Sequence, residues 1–64
     1  MMIALNSSCI AWVDYIQLTR TLHIGFQNGR SYTLHGVPEY HYRGLLSASS
    51  AGRYFNQHLR GKYS

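Results

Sequence analysis

Acid is what this sequence has least of: Asp14 and Glu39 stand against six lysines and arginines in 64 residues, a net charge of +4 with histidine neutral. Paired-carboxylate catalysis would need both acids, and they fall in separate elements with no spacing that joins them. A single cysteine, Cys9, excludes an internal disulfide framework and suits a reducing, cytoplasmic setting. The same scarcity argues against zinc, because structural sites take four ligands and no CxxC or HxxxH spacing accompanies Cys9. No serine or cysteine sits in a recognisable pattern of nucleophile, base and orienting acid, and the GxxxxGK phosphate loop is missing. Nothing approaches the roughly 18 consecutive apolar residues that span a membrane. The opening MMIALNSSCIAWV lacks the basic flank of a signal peptide and reads as mature protein. These absences leave no expected catalytic residue, metal site, cofactor or membrane partner.

What is present describes a small folded binding module. Hydrophobic residues make up 45% of the chain, enough for a packed core in a domain of a size that hides about 60% of its unfolded surface. One domain, residues 1–64, is expected. β-branched and aromatic residues dominate the first half, and helix-compatible spacing follows Pro38. That order predicts an α+β fold: a three-stranded antiparallel β-sheet followed by two short helices packed on one face.

The strands read as Cys9 to Tyr15, Thr21 to Phe26 and Arg30 to His35, with Cys9 a small buried side chain. A two-residue turn at Asn28 and Gly29 would set Phe26 against Ser31 and mix apolar with polar positions. A three-residue loop, Gln27 to Gly29 with Gly29 left-handed, instead pairs Ile24 with Tyr32 and Leu22 with Leu34, which gathers one apolar face. His23, Thr33 and His35 share the other face. Beyond Pro38, a first helix turns Tyr42, Leu45 and Leu46 toward the sheet and Tyr40, Arg43 and Ser47 away. Ser49 is placed to cap a second helix of about ten residues that Gly61 ends. Its Ala51, Phe55 and Leu59 point inward, while Arg53, Gln57 and Arg60 form an outward stripe continued by Lys62 and Tyr63. Phe26, Tyr32, Tyr42 and Phe55 fall on core faces.

Several pieces of this order group together: Ser7, Ser8 and Ile10; Val13 and Tyr15; TRTLHIGFQNGRSY ending at Tyr32; Val37 and Pro38; and Tyr42 with Leu45 and Leu46. The clearest is SSAGRYFNQHLRGKY, from Ser49 to Tyr63, where a glycine precedes Tyr-Phe-Asn and a tyrosine closes the segment. In these pieces the chain resembles the KTSC domain. That family is named for its occurrence at the C-terminus of some lysyl-tRNA synthetases and is also found as free-standing bacterial proteins; the resemblance here is to the free-standing, single-domain form. It implies RNA binding, with no established mechanism. The sequence departs from the family where a Tyr-x-Tyr becomes Tyr32-Thr33-Leu34, which removes a phenol from the third strand. Ile16 and Leu18 stand in the first connection, where polar residues are usual.

Beside that resemblance, the residues point to a non-catalytic RNA-binding module. Guanidinium groups bind phosphate oxygens bidentately and ammonium groups act as point charges. Tyrosine rings stack on unpaired bases. The expected RNA-binding residues are Tyr40, Arg43, Arg53, Gln57, Arg60, Lys62 and Tyr63. The same cations also describe a merely solvated helix face. The alternative is an interaction protein, of phage or mobile-element type, that binds and regulates or inhibits a larger bacterial protein through Trp12, Tyr15, Ile16 and Leu18.

Overall fold

The structure, a computed structural model, describes residues 2–63. Its sheet is a four-stranded antiparallel meander, β1 (Met2–Ala4), β2 (Ile10–Ile16), β3 (Thr21–Phe26) and β4 (Ser31–Leu34) in spatial order. The register expected from the three-residue loop is present, with Leu22 opposite Leu34 and Ile24 opposite Tyr32. Gly29 has φ 90°, a left-handed backbone that costs glycine no steric penalty. The loop closes through Phe26 N–H donating to the Arg30 carbonyl at 2.8 Å and Gly29 N–H donating to the Phe26 carbonyl at 3.0 Å.

The sheet has four strands where the sequence predicts three. The extra one, β1, pairs Ile3 with Val13 along the far side of β2. Three residues are too few to show a period of two, so its signal lies in its partner rather than in its own pattern. β2 also starts one residue later than expected, and Ala11 bulges between Ile10, which faces Phe26, and Trp12, which faces Gly25. The extra residue turns both Ile10 and Val13 into the core, each with no exposed surface. It leaves Cys9 exposed, against the expectation of a buried thiol.

Two helical segments cover the inner face: α1 (Glu39–Ser47), then α2 (Ala51–Tyr54), which runs on as a π-helical turn over Phe55–Leu59. The cap of α2 is Ser50 rather than Ser49; its Oγ accepts the Arg53 N–H at 3.2 Å. Four residues overshoot one α-helical turn by about 40°, so Ala51, Phe55 and Leu59 would fan around a regular helix. The wider turn, with Arg60 N–H donating to the Phe55 carbonyl at 2.8 Å, takes out that drift and keeps all three buried. Gly61, at φ 74°, ends the segment as predicted.

The inner face of α1 is divided between two neighbours. Tyr42 stacks on Tyr15 with centroids 5.0 Å apart, and Leu45 is buried in the core. His41 is buried at 9% exposure, whereas Leu46, expected to face the sheet, is 38% exposed. The helix is rolled toward the C-terminal segment, and that exchanges the two residues. The cover also stops short of Tyr32, which sits on the inner face as expected yet is 48% exposed.

Candidate nucleic-acid interface

The uncovered part of the inner face is a groove of about 450 Å³ between β4 and the C-terminal segment. Its floor is aromatic: Phe26 meets Phe55 edge to face at 5.3 Å and Tyr32 at 5.4 Å. Arg30 and Asn28 reach it from the β3–β4 loop, and Asn56, Arg60 and Tyr63 from the other wall. No acidic side chain lines it among the described residues. Such a surface offers guanidinium groups to phosphates and ring faces to bases.

The expected RNA-binding residues are only partly brought together. Arg60 and Tyr63 line the groove. Arg53 and Gln57 stay exposed on the outer side of the helix, because the π-helical turn swings Arg60 off their line and sets it beside Asn56. Arg60 Nη1 donates to Asn56 Oδ1 at a long 3.5 Å. Lys62 is exposed just past the helix stop. Arg43 is closed on Glu39, with Nη2 2.8 Å and Nε 2.9 Å from the same carboxylate oxygen. Tyr40 projects from α1 with 65% of its surface exposed. Arg30, Tyr32, Asn28 and Asn56 were not anticipated in the sequence. The correct β3–β4 register already placed Arg30 and Tyr32 together, but their partner wall depends on the π-helical turn.

Behind the groove wall lies a cluster of rings around His41. Its Nδ1 is 3.0 Å from the Tyr54 hydroxyl, and its ring contacts Tyr40 at 4.4 Å, Tyr63 at 5.8 Å and His58 at 6.0 Å. Burial holds the His41 pKa below the usual histidine value, and the neighbouring His58 adds to the effect. Tyr63 belongs to both the cluster and the groove, so it links α1 to the groove wall.

The alternative patch does not form one surface. Strand alternation sends Trp12 and Ile16 to the outer face and Tyr15 to the inner one. There the Tyr15 hydroxyl donates to the Val37 carbonyl at 2.7 Å, and burial raises its pKa above the usual phenol value. The Trp12 indole covers Gly25 so closely that any side chain there would collide with it. Leu18 stands at the tip of the β2–β3 turn, 94% exposed. On the same outer face His23 Nδ1 is 3.0 Å from Thr33 Oγ1. No group of three or more histidine, cysteine, aspartate or glutamate side chains suited to a metal occurs among the described residues. Nor is any described helix long and apolar enough to cross a membrane.

Comparison with known proteins places this architecture. The KTSC domain profile matches residues 6–63. The chain belongs to the KTSC domain family. The crystal structure of a KTSC domain protein from Yersinia pestis superposes on it with a TM-score of 0.95 at 33% identity, covering 100% of this chain and 90% of the other. No curated protein matches this KTSC domain. The matched span includes β2 through Tyr63, and therefore every wall of the groove.

Proposed function

We propose that this KTSC domain binds single-stranded RNA without catalysis, with the groove as its centre. The observation that carries the reading is the combination of Arg30 and Arg60 with an aromatic floor and no acid in the lining. Neither Arg53 nor Arg60 is paired with a carboxylate among the described residues, so both retain charge for phosphates. The occurrence of KTSC domains at the end of some lysyl-tRNA synthetases, which the sequence resemblance implies, supports RNA as the polyanion. Arg30 and Arg60 are the cations at the groove, Lys62 lies just past it, and Arg53, on the outer side of the helix, meets the strand beyond the groove; Tyr32 and Tyr63 are its stacking surfaces, Tyr40 and Gln57 extend the contact, and Arg43 contributes little. Four phosphates on a single strand give a slope of log affinity against log salt of about -3, from roughly -0.7 per phosphate. Fluorescence anisotropy of a short labelled RNA across a salt series tests this, and a flat response rejects it.

A second reading rests on Leu18, whose side chain is almost wholly exposed at a turn tip beside Ile16. A bacterial protein partner would take that tip as an apolar anchor. Capture from nuclease-treated lysate that is lost in Leu18→Ser favours this reading; capture that vanishes with the nucleic acid favours the first.

A further inference from the structure

β4 ends the sheet, and among the described residues β3 is its one partner strand. Phe26 N–H donates to the Arg30 carbonyl, so Arg30, and in alternation Tyr32 and Leu34, turn their backbone groups toward β3. Ser31 and Thr33 lie between them and aim their N–H and C=O groups off the edge. Ser31, Tyr32 and Thr33 are all exposed. Such an edge templates pairing unless charge, proline, a bulge or a cover blunts it. Ser31–Leu34 carries no charge and no proline, and its register with β3 runs without a shift. The helical cover stops short of Tyr32, which leaves the groove open beside the strand.

This edge is its own complement. Taken in either direction about Tyr32, it presents a hydroxyl residue, an aromatic residue and a hydroxyl residue. An antiparallel copy centred there sets Ser31 of each chain against Thr33 of the other, so that every outward N–H meets an outward carbonyl. Tyr32 stands opposite its own counterpart on the inner face, at the closer kind of antiparallel site, and no like charges oppose each other. We infer that this edge is the interface of a symmetric dimer, in which a second copy of the chain pairs β4 with β4 and joins the two sheets into one. The two grooves then open on the same side and meet at the joined strands. The inference goes beyond the RNA reading and stands without it.

Two cysteine variants test the register, each combined with Cys9→Ser because Cys9 is exposed. Tyr32→Cys sets a thiol opposite its own counterpart at a Cα separation of about 4.5 Å, within disulfide reach. Thr33→Cys lies opposite Ser31 instead, and strand rise and spacing put it about 8 Å from its counterpart, beyond that reach. In a glutathione redox buffer, Tyr32→Cys is expected to form the disulfide dimer roughly tenfold faster than Thr33→Cys on a non-reducing gel. Equal rates, or no dimer from either, overturn the interface. Sedimentation of the native chain over a concentration series, at a salt concentration that screens its +4 charge, is expected to show a monomer–dimer equilibrium. Ser31→Pro removes a donor that faces off the edge and is expected to weaken that equilibrium about tenfold. A native chain that stays monomeric, or a proline variant that associates as tightly, overturns the assignment.

Discussion

The two helical segments of this domain both carry arginine and put it to different use. On α1, Arg43 lies one turn after Glu39 and closes on it at 2.8 Å, so its charge is neutralised within the helix. On the C-terminal segment, Arg53 and Arg60 have no carboxylate beside them among the described residues, and Arg60 lines the groove that Arg30 approaches from the β3–β4 loop. The chain has two acids in all, Asp14 and Glu39, and neither lines the groove. The contrast teaches that in so basic a chain the few acids decide which arginines serve the fold and which stay available to a ligand.

The comparison breaks most completely if the C-terminal segment loses its seat. Leu59 has no exposed surface, and Leu59→Ala should cost about 2–5 kcal/mol by cavity formation. Denaturant unfolding reads that loss, and RNA binding should fall with the folded fraction. Next in size, Arg30→Gln/Arg60→Gln should weaken RNA binding roughly a hundredfold at low salt, about tenfold per charged contact. The unfolding midpoint should barely move, since both side chains are exposed.

Acid provides a smaller, sharper test of the link between the two segments. The His41 pKa is lowered in the folded state by burial and then by His58, so below the ordinary value of about 6.5 the unfolded chain takes up the proton first. The stability tied to a neutral His41 is complete above that pH and is lost as pH falls toward the depressed folded value. His41→Phe keeps a ring between Tyr54 and Tyr63 and should flatten this part of the profile, measured as urea midpoints at about pH 7.5 and about pH 5. An unchanged slope would mean that His41 does not govern it. The smallest effect is expected on α1: Arg43→Gln removes an exposed pair worth about 0.3–0.5 kcal/mol and should leave RNA affinity unaltered. A loss there equal to that of the groove arginines would erase the contrast.

How much of this was legible beforehand depends on how locally each feature is determined. The β3–β4 register could be read because a short loop and two alternating strands admit one arrangement that gathers Leu22, Ile24, Tyr32 and Leu34. The inward residues of both helices followed from spacing, apart from the exchange of His41 for Leu46, which is set by how α1 leans on its neighbour. β1, the Ala11 bulge and the π-helical turn had no local signature, since each is a response to packing against another element. The last of these carried the largest consequence for the groove. It broke the predicted stripe of Arg53, Gln57 and Arg60 and gave Arg60 and Tyr63 to a groove whose other wall lies near Arg30 and Tyr32.

The central claim is that this groove, and not the outer sheet face or the Leu18 tip, receives the RNA. Titration of the isotopically labelled domain with a short unstructured RNA, followed by NMR chemical shifts, tests it residue by residue. The account predicts the largest shifts at Arg30, Tyr32, Asn56, Arg60 and Tyr63, with Trp12, Ile16, Leu18 and Arg43 unmoved. Shifts centred on Trp12 or Leu18, or none at saturating RNA, would contradict it.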